Sequence, residues 1–155
     1  MGFFSSSIDD ADWCEQVRNH YNYMLVQDLP TEYAEILRID LKESEGVEDN
    51  VFRKVSGCAL VVSSCKEAGK QLKGIPDPKS GHAKQIREDL LKSFKALVWS
   101  AEDGIKWANR GINEGMDGLV DKRGQEYRKR HLEWGSEGLS KLEKSVAFIG
   151  TIDLD

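Results

Sequence analysis

Long apolar stretches are missing from this 155-residue sequence. The longest wholly apolar run is Cys58 to Val62, whereas a membrane-spanning helix needs about 20 such residues. The first residues also lack the basic residues and the apolar stretch of a secretory signal. We therefore expect a cytoplasmic protein that makes no use of a membrane.

Signatures of common enzyme classes are missing as well. The sequence contains no P-loop, no GxGxxG and no G-x-S-x-G pattern. Its three cysteines, an odd number without a CxxC pair, favour reduced thiols over disulfides or a zinc site. We therefore expect no catalytic residues, no cofactor and no enzymatic activity.

Histidine is equally scarce, and its three copies fall on three different predicted helices. None of His20, His82 and His131 has a glutamate three residues before it, as the Glu-x-x-His motif of ferritin-like di-iron bundles requires. A zinc site needs three or four ligands at workable spacing. We expect no metal ligands, although a metal-binding bundle stays among the alternatives.

Acidic and basic residues are unevenly distributed along the chain. Residues 1–50 carry twelve acidic and three basic side chains, whereas residues 51–155 carry fifteen acidic and nineteen basic ones. A basic portion can indicate nucleic-acid binding, but here the only run of three basic residues is Arg128 to Arg130. We therefore expect the two portions to attract each other, and no nucleic-acid partner.

Apolar residues alternate at gaps of four and three in three long segments, 48–73, 80–112 and 119–148. This spacing keeps one helix face against a partner helix. A further helix is predicted over 8–27, before Pro30, and a short one follows from Thr31. The pattern predicts an all-α protein, an up-down-up-down four-helix bundle with a kinked or split N-terminal helix. We expect one domain over residues 1–155, with flexible ends at 1–7 and 151–155.

The segment 80–112 is bulky at its start and small towards its end. An interior glycine costs a helix roughly 1 kcal/mol relative to alanine, so repeated small residues on one face indicate that another backbone comes close. The face is either an internal packing surface or a docking surface for a partner. The small residues on it are Ala101, Gly104, Ala108 and Gly111.

Residues 131–136, His-Leu-Glu-Trp-Gly-Ser, resemble the His-x-x-Lys-Gly-Ser core of histidine phosphotransfer domains, which are themselves four-helix bundles. In that family, the lysine helps to hold the phosphoryl group, and the small residue leaves room for a response regulator. Gly135 and Ser136 match this core, whereas Trp134 stands at the lysine position. The resemblance implies a phosphoacceptor at His131, beside Gly135 and Ser136. The alternative is a structural histidine at the edge of an apolar stripe.

These observations favour a non-enzymatic helical bundle that acts through protein contacts, as an adaptor, a small chaperone or an oligomeric scaffold. Its expected partner is another protein or a second copy of itself. The alternatives are a histidine-phosphotransfer-like module that uses His131, and a metal-binding bundle.

Overall fold

The computed structural model describes residues 7–26, 28–41 and 47–152, and this part of the chain is helical and without strands. The predicted all-α class is therefore confirmed. Of the expected flexible ends, residues 1–6 and 153–155 lie outside the described residues. The helices are α1 (Asp10–Val26), α2 (Asp28–Arg38), α3 (Val47–Lys73), α4 (Gly81–Val120) and α5 (Lys122–Ile152).

The N-terminal helical region consists of two helices, α1 and α2. Pro30 is the third residue of α2, where the missing amide hydrogen has no partner inside the helix. Proline therefore lies within the first turn of α2, two residues after its start, and not between the two helices as the sequence predicted. Gln27, the residue between the two ranges in the sequence, lies outside the described residues.

Helix α4 begins, and breaks, close to where the sequence predicted. Its start is capped by Ser80, whose hydroxyl accepts a hydrogen bond from the Ala83 amide at 2.9 Å. The expected end near Ile112, with glycines marking a reversal, agrees closely with the structure, because the helical backbone breaks at Gly115, where φ is 66°, and a short helical segment follows as far as Val120. Such a φ is rarely adopted by residues other than glycine, so this one glycine changes the chain direction.

Helix α4 packs against both α5 and α3. Its residues Leu97 and Gly104 lie against Gly138 and His131 of α5 respectively, so the two helices run in opposite directions. Gly104 also lies beside Cys58 of α3. Close contact at these points depends on glycine, because a Cβ atom built on Gly138 would lie only 2.8 Å from Leu97 Cγ.

The start of α1 is fastened to the loop between α3 and α4. The Ile8 amide donates to the Asp77 carbonyl at 2.9 Å. The Asp10 carboxylate accepts from the Ser80 hydroxyl at 2.6 Å and from the Ser80 amide at 3.2 Å. Because Ser80 also caps α4, one serine couples the start of α1 to the start of α4.

Buried apolar residues form two clusters. The larger one joins α1 to α5 around Trp13, Leu72 and Leu97, and the smaller one lies around Trp107 and Leu119. Within the described residues, no helix is both long enough and apolar enough to cross a membrane.

Candidate functional site

His131, the residue singled out by the sequence, is completely buried in the middle of the molecule. Its Nδ1 lies 2.8 Å from the Ser100 carbonyl oxygen, and its Nε2 lies 2.8 Å from Lys54 Nζ. A carbonyl oxygen can only accept, so Nδ1 carries the proton and donates it. Nε2 is then the acceptor for the Lys54 ammonium, which is completely buried too.

Two hydroxyl groups extend this polar cluster towards α2. The Ser100 hydroxyl donates to the His131 carbonyl at 2.5 Å, and the Tyr33 hydroxyl lies 2.7 Å from the same Ser100 oxygen. Because serine has a single hydroxyl hydrogen, Tyr33 is the donor to Ser100. The cluster of Lys54, His131, Ser100 and Tyr33 thus ties α2, α3, α4 and α5 together.

The cluster contains a buried cation, the Lys54 ammonium, and the charge of Asp40 partly offsets the effect of burial on its pKa. Burial lowers the pKa of Lys54 from 10.5 to about 8. Burial and the nearby Lys54 charge lower the pKa of His131 from 6.5 to about 3. Lys54 Nζ also lies 5.5 Å from the centre of the Trp107 ring, and the Arg128 guanidinium lies 5.8 Å from that centre. The aromatic ring offers its negatively polarised face to this cation.

The cysteines near this cluster are not activated nucleophiles. Burial raises the pKa of the Cys58 thiol to about 11 and that of Cys65 to about 12. The thiolate is the reactive form of cysteine, so both side chains behave as small apolar groups at neutral pH. All three cysteines are buried thiols.

The phosphotransfer-like residues are arranged differently from what the resemblance implies. Gly135 is buried, and a Cβ atom there would lie 2.6 Å from Leu37 Cδ2. Ser136 is exposed. The space that the family keeps open beside its histidine is therefore filled by α2. Phosphotransfer at His131 would require this cluster to open, because Nε2 faces Lys54 in the interior.

Three of the four small residues on the α4 face are buried: Ala101, Gly104 and Ala108. A Cβ atom on Gly104 would lie 2.7 Å from His131 Nδ1 and 2.9 Å from Cys58 Sγ. Gly111 is partly buried, and a Cβ atom there would lie 2.8 Å from Leu119 Cδ2. In the described structure these residues face other parts of the same chain.

The histidines do not come together. His82 packs edge-on against Phe148, with ring centres 4.9 Å apart, and His20 bonds to the Gln16 carbonyl of its own helix. Within the described ranges, no group of three or more His, Cys, Asp or Glu side chains is placed to hold a metal ion.

A surface groove between α3 and α4 is a feature that the sequence analysis missed. Its volume is about 890 Å³, and Phe94, Val98 and Trp99 are among the apolar residues that line it. Lysines surround this apolar part, and two glutamates, Glu88 and Glu102, also border it. We call it the lysine groove; its lysines are Lys66, Lys70, Lys73, Lys92 and Lys95.

The spacing of these lysines was a usable signal. Lys66, Lys70 and Lys73 follow one another at gaps of four and three, as on one face of a helix. Lys92 and Lys95 are three residues apart on the next helix. Two basic faces on consecutive antiparallel helices can meet at one groove, but only the structure shows that these two do.

Comparison of the chain with protein-family models, with curated proteins and with solved structures returned no match. The functional argument therefore rests on the geometry of the molecule.

Proposed function

We propose that this protein is a non-enzymatic binding module, and that the lysine groove receives an acidic amphipathic helix of a protein partner. The observation that carries the proposal is the combination of an apolar floor with five surrounding lysines in a chain of net charge -5. Helix-in-groove recognition places the apolar face of one helix into a groove of this kind.

The charge of the groove supports an acidic partner. Five lysines against two glutamates give the groove a positive excess, and Lys66 is only loosely paired with Glu102, at 4.0 Å. The Lys66 side chain is mostly exposed, and that of Glu102 is half-buried. Positive charge around a binding surface speeds the approach of a negatively charged partner and selects against basic ones.

The floor of the groove supplies an aromatic anchor. The side chain of Trp99 is 40% exposed, which is high for so large an apolar residue. Its ring packs edge-on against Trp134, with centres 4.8 Å apart, and Lys95 Nζ lies 5.4 Å from the ring centre. Tryptophan is enriched among the residues that dominate binding energy at protein interfaces.

The architecture that holds this groove is, we propose, an up-down-up-down four-helix bundle in which α1 and α2 together form the first arm. Helix α4 runs antiparallel to both α3 and α5, and this arrangement supports the proposed order. Three buried cysteines in the thiol form are in keeping with a reducing compartment such as the cytoplasm.

A designed peptide tests the proposed function. The probe is a fluorescent helical peptide with leucine at gaps of three and four and glutamate elsewhere. Binding is followed by fluorescence anisotropy at several salt concentrations. We expect saturable binding that weakens as salt is added, because screening shortens the range of the lysine charges.

Matched variants locate the binding surface. Lys92→Glu combined with Lys95→Glu reverses two charges on the α4 side of the groove and should weaken binding by at least about tenfold. Lys144→Glu, an exposed position on α5, serves as the control and should leave binding unchanged. A scrambled peptide without an apolar face should bind poorly. Equal binding by all three protein forms would overturn the proposal.

A further inference from the structure

The outward face of α3 repeats with a period of seven residues. Positions 49, 56, 63 and 70 form one row, with positions 52, 59 and 66 on one side of it and positions 53, 60 and 67 on the other. All ten side chains are exposed. We call this surface the heptad face; its residues are Asp49, Phe52, Arg53, Ser56, Ala59, Leu60, Ser63, Lys66, Glu67 and Lys70.

The middle of the heptad face is uncharged and partly apolar. Every residue from Val55 to Cys65 is uncharged, although charged residues make up 32% of the chain. Leu60, in this middle, is 53% exposed, and Phe52, at the charged end beside Arg53, is 72% exposed. A partner that covers the whole face would remove both apolar side chains from water.

The charged residues at the two ends of the heptad face are ordered so that, when the direction of the helix is reversed, acidic residues take the places of basic ones. Reading along α3, Asp49 is acidic and Arg53 is basic, and then, after the uncharged middle, Glu67 is acidic and Lys70 is basic. A second α3 laid antiparallel about a two-fold axis between Ala59 and Leu60 reverses this order. Each acidic end residue then faces a basic residue of the other copy.

We propose that the heptad face is a self-association surface, and that its partner is the antiparallel α3 of a second copy of this chain. In such a two-fold pair, each row of residues contacts the equivalent row of the second copy. Asp49 faces Lys70 of the other copy, and Arg53 faces Glu67. Leu60 meets Leu60 at the centre.

The outer row completes the match. Phe52 lies opposite Lys66 of the second copy, where the lysine stem and ammonium can cover the aromatic ring. Ala59 lies opposite Ala59, and two small residues allow the helix axes to approach. From Asp49 to Lys70 the face extends for about 31 Å at 1.5 Å per residue, which is long enough for three heptads of contact.

The helix dipole alone does not produce this charge order. It favours acidic side chains near the start of a helix and basic ones near its end, which accounts for Asp49 and Lys70. Arg53 and Glu67 have the opposite arrangement along α3. Within one helix, Asp49 is four residues before Arg53 and Glu67 is three residues before Lys70, so each pair can also interact along α3. The antiparallel pairing adds a second partner of opposite charge to each of these four residues.

Sedimentation velocity on the full chain tests the proposal. The wild type should show a concentration-dependent monomer–dimer equilibrium at about 10–100 µM, a range typical of a small, weak interface. Arg53→Glu places two acidic residues opposite each other and should raise the dissociation constant by at least about tenfold, because the two-fold axis repeats the repulsion. Adding Glu67→Arg to that variant should restore the dimer.

Further variants separate this surface from others. Leu60→Glu should abolish the dimer, whereas Ile112→Glu, which alters another exposed apolar residue, should not. Circular dichroism checks that each variant stays helical. A wild type that remains monomeric at these concentrations overturns the proposal. So does a dimer that tolerates both Arg53→Glu and Leu60→Glu. Lys66 and Lys70 belong to both the heptad face and the lysine groove, so the peptide test of the groove is made at protein concentrations at which the wild type is monomeric, with substitutions in α4 only.

Discussion

Lys54 Nζ lies 2.8 Å from His131 Nε2, and neither side chain reaches the surface. The pair joins α3 to α5 across the interior of the molecule. It places a cation where water cannot solvate it, and the cost of that burial appears in the lowered pKa of both groups.

The buried pair makes the free energy of unfolding depend on pH. Between pH 8 and 10.5 the unfolded chain keeps the Lys54 proton that the folded protein has lost, so the free energy of unfolding rises with pH. The same reasoning for His131 predicts a fall as pH drops from 6.5 towards 3. Urea unfolding of the wild type and of Lys54→Met measures the alkaline part. From pH 8 to 10.5, the free energy of unfolding of the wild type should rise relative to that of Lys54→Met. Lys129→Met changes an exposed lysine and serves as the control, which should show no such trend.

Two glycines in helices should respond oppositely to alanine. Gly104→Ala introduces a Cβ atom 2.7 Å from His131 and 2.9 Å from Cys58, and we expect a loss of about 1–3 kcal/mol from overpacking. Gly69→Ala is the control, because no atom lies within 4 Å of its Cβ position. It should stabilise the protein by about 0.5–1 kcal/mol through helix propensity. Thermal unfolding compares the two, and a stabilised Gly104→Ala would contradict the packing described.

Histidine modification should distinguish the three histidines. Diethyl pyrocarbonate should modify the exposed His20 and His82 of the native protein and spare His131. In urea, all three should react. Phosphoramidate should likewise leave no acid-labile phosphate on native His131. Modification of native His131 as fast as that of His82 would mean that Nε2 can be reached, and would favour the phosphotransfer alternative.

The contact between Asp10 and Ser80 should stabilise the attachment of α1. Asp10→Ala removes a carboxylate that accepts two hydrogen bonds from Ser80, and we expect a loss of about 1.5–3 kcal/mol. Asp12→Ala is the matched control, since Asp12 lies in the same helix turn and is exposed. Urea unfolding gives both values. Equal losses of stability in the two variants would mean that the effect comes from the interaction of the carboxylate with the helix dipole and not from its hydrogen bonds to Ser80.

Helical content and the region where α4 breaks could be predicted from the sequence, but the glycine that turns the chain could not. The period of apolar residues identified α3, α4 and α5, since it reflects a local geometry. Three glycines, at 111, 115 and 118, together indicated a helix end. Only Gly115 has a positive φ, while Gly111 packs on Leu119 and Gly118 on the Arg110 carbonyl. The sequence does not distinguish a glycine that turns the chain from one that makes room.

The candidate sites were harder to predict, because they depend on residues far apart in sequence. His131 was identified, but its partner Lys54 is 77 residues away, and a lysine is normally expected at the surface. One signal was present: Lys54 lies three residues after Val51 and four before Cys58, on the buried side of α3. Lysine in an apolar stripe could have indicated a buried polar partner.

The turn between α4 and α5 has a consequence for folding kinetics. The Trp107 indole donates to the Leu119 carbonyl at 3.1 Å, and Arg110 bonds to the Gly118 carbonyl and to Asp121. These contacts span only 8 to 12 residues along the chain. Loops of about ten residues close within roughly 10–100 ns, and local contacts carry little loop-closure entropy. We therefore expect this hairpin, with its break at Gly115, to form early in folding and to align α4 with α5 before the distant α1 and α2 dock.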